Sequence, residues 1–352
     1  MIQNIQDAVS RDIKVVRPGH LADNIVIADG LPGCGKTMLS PIIASLDRVE
    51  LLTYAYQLEN ICAMHYLGKI AGDGAAVLVR MWTDLQLYNT MMARELNFRF
   101  SDLSSVFRNR PMRYIKRLFQ KGDEAVVSRI KRERPILQLT THHLLAISEP
   151  ILRGLGERVV FIDIVRHPLY MIKQQTLNME RVIATPRHFA VYFKYGDREV
   201  PYYTTGWEDL FLKSSPIDRA IYNMEHILSL IKKNKDSLVS QYHSAVITVP
   251  FEKFVITPWP YIEEIAKALG TKATSYTYKV MKKQNVPRKM YAEGVGLGIY
   301  KRCGWEPPRS SSEKEELKLR RRYAAERAST TAMAVLDRLC SEYENTYNID
   351  VG

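Results

Sequence analysis

Residues 24–37 read NIVIADGLPGCGKT, and this stretch decides the fold. Residues 24–29 are a short apolar run that ends in a glycine-rich turn, which reads as a buried parallel strand. Gly30 to Thr37 matches the phosphate-loop pattern G-x-x-x-x-G-K-[ST]. The spacing has a chemical reason. Glycines at 30, 33 and 35 let successive backbone N–H groups turn toward phosphate oxygens. A helix predicted over residues 38–46, with Pro41 in its first turns, starts at the anion, so its dipole helps. Lys36 brings a point charge to the reacting group, and Thr37 donates to a phosphate or holds Mg²⁺. A strand before the loop and a helix after it are the context that a chance glycine turn lacks. The reading is a phosphate-bearing ligand held by Gly30, Gly33, Cys34, Gly35, Lys36, Thr37 and Met38, with the ligand itself unnamed.

Working outward, residues 75–81 (AAVLVRM), 135–141 (PILQLTT), 159–165 (VVFIDIV) and 245–249 (AVITV) read as further strands. Residues 85–96, 168–179 and 259–269 carry helical spacing. This alternation predicts an α/β fold: a mostly parallel sheet of about five strands, flanked by helices and carrying helical insertions. Residues 194–211, rich in aromatic and polar side chains, look like an inserted substrate loop or lid. Residues 313–343 read as one long terminal helix, with Ser310 to Ser312 as N-caps. The expected organisation is a phosphate-loop domain over residues 1–309 and a helical extension packed on it over residues 310–352.

The bulk numbers set limits. With 352 residues, 46% of them hydrophobic and 25% charged, the chain can build a sizeable core without staples. Cys34, Cys62, Cys303 and Cys340 have no C-x-x-C spacing, so they read as free thiols of a reducing compartment and not as a zinc site or a disulfide frame. The opening MIQNIQDAVSRDIKVV, with Asp7 inside it, has no signal-length apolar run. No stretch approaches the ~20 apolar residues of a membrane span. A cytoplasmic protein without a transmembrane segment is expected. The net charge of +12 attracts polyanions. The basic residues are nonetheless spread along the chain, and the run from Lys314 to Arg327 is interleaved with Glu315, Glu316 and Glu326. Specific nucleic-acid binding is therefore not expected. The surplus suits a nucleotide donor, an acidic acceptor or a membrane surface equally. Oligomeric state is left open.

Two more strand ends carry polar residues: Thr140-Thr141-His142-His143 and Arg166-His167-Pro168. Ligands of open parallel sheets bind beyond the carboxyl ends of the strands. Taken in order, GLPGCGKT, LTTHHLL and IVRHP resemble the sulfotransferase superfamily, which has GLPRSGTT or PKSGTTW, then KTHLP, then R-[ND]-P. The later VPFEKFVITPWPYIEEIAKALG is similar to a tyrosine–glutamate to leucine–glycine stretch of that family, and GWEPP at Gly304 stands where the family has GDW. The resemblance runs from Asn24 to Trp305 as landmarks.

The resemblance implies sulfuryl transfer from 3′-phosphoadenosine 5′-phosphosulfate (PAPS) to a hydroxyl acceptor, a small metabolite or a glycan. His142 matches the family's general base, a role imidazole suits because it titrates near working pH. His143 would point to the opposite face of the strand. Arg166 matches the 3′-phosphate ligand. Lys36 and the loop amides would stabilise charge on the bridging oxygen.

The departures are specific. Gly33 replaces a cation, Thr140 a lysine, and Gln174 the serine eight residues after Arg166; Lys36 replaces a threonine and completes a nucleoside-triphosphate loop. An alternative is thus an ATP- and Mg²⁺-dependent kinase on the same scaffold, with Thr37 and Asp163 in the metal shell. Under the sulfotransferase reading there is no metal. A third reading is a nucleotide-binding regulatory protein. Asp84 is a metal ligand, a reserve base or a helix N-cap. Arg94, Asn97, Arg99 and Asp102 contact an acidic acceptor, or else Ser101 and Asp102 cap a helix. Tyr202, Tyr203 and Trp207 form an aromatic platform or pack a lid.

Overall fold

The apolar run after Asn24 is strand β1, Ile25–Asp29, and all five of its residues are buried. The computed structural model describes residues 13–181, 185, 188–296, 301, 304, 306–308 and 312–349. Cys303, Trp305, Ser310 and Ser311 lie outside the described residues. Strand β2 is Thr53–Tyr54, β3 is Leu137–Thr140 and β4 is Val159–Val165. An antiparallel hairpin of β5, Tyr192–Tyr195, and β6, Arg198–Pro201, occupies much of the predicted insertion. Strand β7 is Ala245–Pro250. The main sheet runs β2-β3-β1-β4-β7 with every pairing parallel. Strand β1 is central and both faces are covered, which is why its sequence is a continuous apolar run and does not alternate.

Two predicted elements change. Residues 75–81 are not a strand but part of the helix Gly72–Met92. Ala75, Ala76, Val79 and Leu87 face the core, while Leu78, Met81 and Leu85 are exposed. The run is apolar on both sides of a helix, so periodicity misreads it. The fifth strand is the two-residue β2. The predicted terminal helix is two helices, Glu313–Ala325 and Thr330–Tyr347. Ser329 breaks the run: its hydroxyl accepts from the Ala332 N–H at 3.2 Å, and its own N–H donates to Asp218 at 2.9 Å. Leu317, Ala324, Leu336, Leu339 and Cys340 of these helices join the main core. Among the described residues, no helix is long and apolar enough to cross a membrane.

Asp84 has none of its three expected roles. It sits mid-helix and is buried, accepting from the backbone of Leu21 at 2.8 Å and Ala22 at 3.0 Å and from Arg17 at 2.7 Å. It pins the segment that leads into β1.

Candidate functional site

The loop after β1 is set by its glycines. Gly30 has φ 139°, and a Cβ there would meet the Ile164 carbonyl oxygen at 2.4 Å. Gly35 has φ 111° at the N-cap of the helix Lys36–Ala44, and a Cβ would strike the Phe251 ring at 2.3 Å. Only glycine fits both places. The helix start leaves backbone N–H groups without intrahelical acceptors, facing the space beyond the sheet.

Lys36 is buried and turned inward. Its ammonium donates to the Gly30 carbonyl and, at 3.1 Å, to that of Leu31. To meet any ligand in the cavity above the loop it has to leave those oxygens. Burial pushes the Cys34 thiol up, despite Lys36 beside it, so this side chain is a packed thiol and no nucleophile. Met38 is buried and Thr37 half-buried, and both line the cavity described next.

A cavity of ≈ 290 Å³ opens over the loop, bounded by Gly33, Lys36, Thr37, Arg166, Phe251 and Arg288. Arg166, from the end of β4, stacks on Phe251 with its guanidinium 4.0 Å from the ring centroid. It donates to the Gly33 carbonyl at 3.0 Å, and its Nε is buried with no hydrogen-bond partner. Burial lowers its pKa, and Glu252, 4.0 Å away, only partly offsets that. Arg288 approaches the same ring at 5.5 Å. Gln174 covers Gly33, its Oε1 3.2 Å from where a Cβ would stand, and the φ of 92° there strains any residue but glycine, which disfavours a cation at position 33. Neither Phe251 nor Arg288 was singled out in the sequence: the arginine lies in a basic, irregular stretch with no motif of its own.

The strand-end histidines follow β3 but are not on it. The turn is clamped by Asp29, the last residue of β1, which accepts from Thr141 Oγ1 at 2.8 Å and from the N–H groups of Leu144 at 3.0 Å and Leu145 at 2.8 Å. His143 has φ 45° and is buried. Its Nε2 lies 3.0 Å from the Tyr202 hydroxyl, and burial pushes its pKa down to about 3. The two side chains thus diverge because His143 itself takes a left-handed turn conformation, and not through strand pleating. His142 is one-third exposed. Its backbone N–H donates to Glu59 at 2.6 Å, and its Nδ1 lies 3.1 Å from the same oxygen. In the neutral tautomer protonated at Nδ1 this contact is a hydrogen bond to the carboxylate, and Nε2 carries the lone pair. Glu59, in the helix Tyr56–Tyr66, was not foreseen, because its helix follows β2 and β2 was not predicted.

A second cavity, of ≈ 380 Å³, adjoins the first. Pro32, Tyr56, His142 and Gln174 line both. Beyond them the second cavity presents Asn60, Asn178, Asn223, His188, Phe189 and Tyr202. Burial lowers the pKa of His188, whose Nδ1 is 2.8 Å from the Tyr192 hydroxyl. The Asn223 carbonyl oxygen is buried without a partner. The expected platform splits. Tyr202 and Tyr203 line this cavity but are buried, and Trp207 packs against Phe211 while donating to the Tyr203 carbonyl at 3.0 Å. The accessible aromatic wall is Tyr56 with Phe189, in edge contact 6.0 Å apart.

Other expected residues lie elsewhere. Asp163 is buried and bonded to Lys235; burial raises its pKa in spite of that lysine. Asn97 donates to Asp102 at 3.1 Å and to Ser104 at 2.9 Å, while Arg99 pairs with Asp102 at 3.8 Å, so this cluster closes on itself. Arg94 is exposed away from either cavity's lining. His167 is held by Glu344 at 2.9 Å, which ties the end of β4 to the terminal helix.

The fold and site define an α/β protein with a glycine loop, convergent cations and a carboxylate-held histidine. No protein-family model matches the sequence. No curated protein matches it either. Among solved structures it is similar to the sulfotransferase domain of the olefin synthase of Synechococcus PCC 7002, at 13% identity and TM-score 0.43 over 96% of this chain and 98% of that one. It is similar to the sulfotransferase domain of the curacin biosynthetic pathway at 9% identity and TM-score 0.44, covering 94% and 99%. It is also similar to sulfotransferase STF9 from Mycobacterium avium at 10% identity and TM-score 0.43, covering 99% and 81%. These likenesses are distant, and the chemistry has to come from the chain's own side chains.

Proposed function

We propose that the protein transfers a sulfuryl group from PAPS to a hydroxyl acceptor, with His142 as general base. One observation carries the reading: the two cavities meet at His142. Of the four residues common to both, only a histidine is a base near neutral pH. The tyrosine among them, Tyr56, has its pKa raised by burial.

The residues present fit such a donor. The first cavity offers loop N–H groups, Lys36, Arg166 with a buried Nε that makes no hydrogen bond and has Glu252 4.0 Å away, and Arg288 beside the Phe251 ring. When bound, the donor supplies an activated sulfuryl group whose leaving oxygen gains negative charge. Lys36 and the helix start would stabilise that charge. Arg166 and Arg288 would hold the distal phosphate, and Phe251 would offer a ring face. His142 Nε2 would take the acceptor's proton, while Glu59 keeps Nδ1 protonated and the ring fixed.

The rival donor is ATP with Mg²⁺. The carboxylates of the two strand ends are already engaged: Asp163 by Lys235, and Asp29 by Thr141 and two backbone N–H groups. Glu293, which lines the first cavity with Thr37, accepts from the N–H groups of Lys289 at 3.2 Å and Met290 at 3.4 Å, so among the described residues these three carboxylates are all engaged, which favours PAPS. The test is thermal stabilisation. Adenosine 3′,5′-bisphosphate should raise the melting temperature more than ADP with Mg²⁺, since a native-state ligand at a hundredfold excess over Kd stabilises by about 2.7 kcal/mol. If Mg-ATP and Mg-ADP stabilise and the bisphosphate does not, the kinase reading replaces this one. If all of these nucleotides bind and no transfer occurs, a regulatory nucleotide-binding protein remains.

A further inference from the structure

Residues 94–121 read RELNFRFSDLSSVFRNRPMRYIKRLFQK. They hold eight Lys and Arg against two Asp and Glu, a surplus of six in a chain of net charge +12. Neither cavity uses them. Five large apolar side chains of this segment are exposed: Phe98, Phe100, Met112, Leu118 and Phe119. Phe100 is 71% exposed and Phe119 85%, so water meets most of both rings. Isolated exposed apolar residues are ordinary; five in one short segment are not.

The segment is rigidly built. Its own small core contains Val106 and Tyr114 with Leu51. Phe107 stacks on Phe100 at 4.0 Å and meets Phe98 edge-on at 6.1 Å. The helix Pro111–Arg117 turns Tyr114 and Arg117 inward. Met112 and Lys116, four residues apart, then lie on its outer side, and the exposed Phe119 follows in the turn after it. Glu50, fully buried, takes Arg117 at 2.7 Å and Arg113 at 2.5 Å. Burial alone would raise its carboxyl, but the two arginines outweigh it and hold the pKa below the usual value. The Leu51 N–H donates to the Tyr114 hydroxyl at 2.6 Å, just before β2. The outer surface is thus fixed to the edge of the sheet.

The charges on that surface are available. Arg94, Arg108, Lys116 and Lys121 are exposed and form no salt bridge with a described acidic residue. Cations among outward aromatic and aliphatic side chains suit a surface that is anionic at its headgroups and apolar just below them. A soluble nucleic acid would use the cations and could stack on a ring, but Met112 and Leu118 offer it nothing, and Phe107 already covers one face of Phe100.

We propose that the outer surface of residues 94–121 docks on an anionic phospholipid bilayer. The docking needs neither cavity, so it stands apart from the sulfuryl-transfer reading. The test is co-sedimentation of the full chain with vesicles of phosphatidylcholine, and of equal parts phosphatidylcholine and phosphatidylserine. The protein should pellet with the mixed vesicles and not with the neutral ones. Lys116→Gln with Lys121→Gln should reduce partitioning about 30-fold, at roughly a fivefold loss per cation. Phe100→Ser with Phe119→Ser should abolish the binding that persists at high salt. Each pair touches exposed side chains, so an unchanged melting temperature certifies the fold. Absence of binding to mixed vesicles would overturn the proposal, as would undiminished binding by the phenylalanine pair. It would also fall if an oligonucleotide bound at least as well and lost affinity with the same lysines.

Discussion

The two cavities that meet at His142 are built from different chemistry. The first cavity gathers positive charge: Lys36, Arg166 and Arg288 around a glycine loop and a helix start. The other side is mostly neutral: Asn60, Asn178 and Asn223, with Tyr202, Phe189 and His188, whose pKa burial lowers, while Glu59 and Arg181 bring one charge of each sign. A polyanion gains from the first and gains little from the second. A neutral hydroxylated molecule finds amide hydrogen-bond partners and ring faces in the second. Between them stands His142, with its Nδ1 3.1 Å from Glu59.

The largest break in this contrast should come from that residue. His142→Ala is expected to lower turnover by ~10²–10⁴ while leaving donor affinity unchanged, the usual worth of a positioned base. Retained turnover would remove His142 from the chemistry, and it would leave the second cavity without a base on the shared wall. Donor-side changes should act on binding instead. Arg166→Ala should weaken adenosine 3′,5′-bisphosphate by about 10- to 100-fold, as expected for hydrogen bonds to a charged group. Titration calorimetry reads this directly, and unchanged affinity would dissociate the first cavity from the donor. Glu59→Ala sharpens the same division. Turnover should drop by about tenfold or more as His142 loses its anchor, with the bisphosphate Kd unmoved. A parallel loss of donor affinity would mean that Glu59 supports the loop and not the base.

The smallest effect concerns the neighbouring histidine. The unfolded chain protonates His143 near 6.5 and the folded protein only at about 3. Its folded pKa is depressed, so its contribution is complete above 6.5 and is lost as pH falls toward 3. The slope is at most about 1.4 kcal/mol per pH unit. Denaturant titrations across that window should show the decline, and His143→Gln should flatten it. An identical slope in the variant would assign the acid sensitivity to other groups.

How much of this was legible depended on whether a feature was local. The glycine loop could be read because its spacing, its strand and its helix are contiguous from residue 24 to residue 46. Arg166 and His142 could be found because each closes an apolar run, and parallel strands carry their ends to one edge of the sheet. Glu59 could not be found. Its partner lies 83 residues away, and β2, which brings its helix to the edge, is too short to leave a period. Residues 75–81 misled for the opposite reason: a helix with apolar side chains on both faces carries a strand-like run.

The sequence by itself determined the class of fold and the glycine geometry of the loop, because strand periodicity and glycine torsions are properties of neighbours in the chain. Only the tertiary structure decided which side chains remain available. Folding turned Lys36 onto its own loop carbonyls, paired Asp163 with Lys235, buried His143 against Tyr202 and left His142 where two cavities meet. Burial and pairing set whether a group can act, and both are fixed by residues far away in the chain.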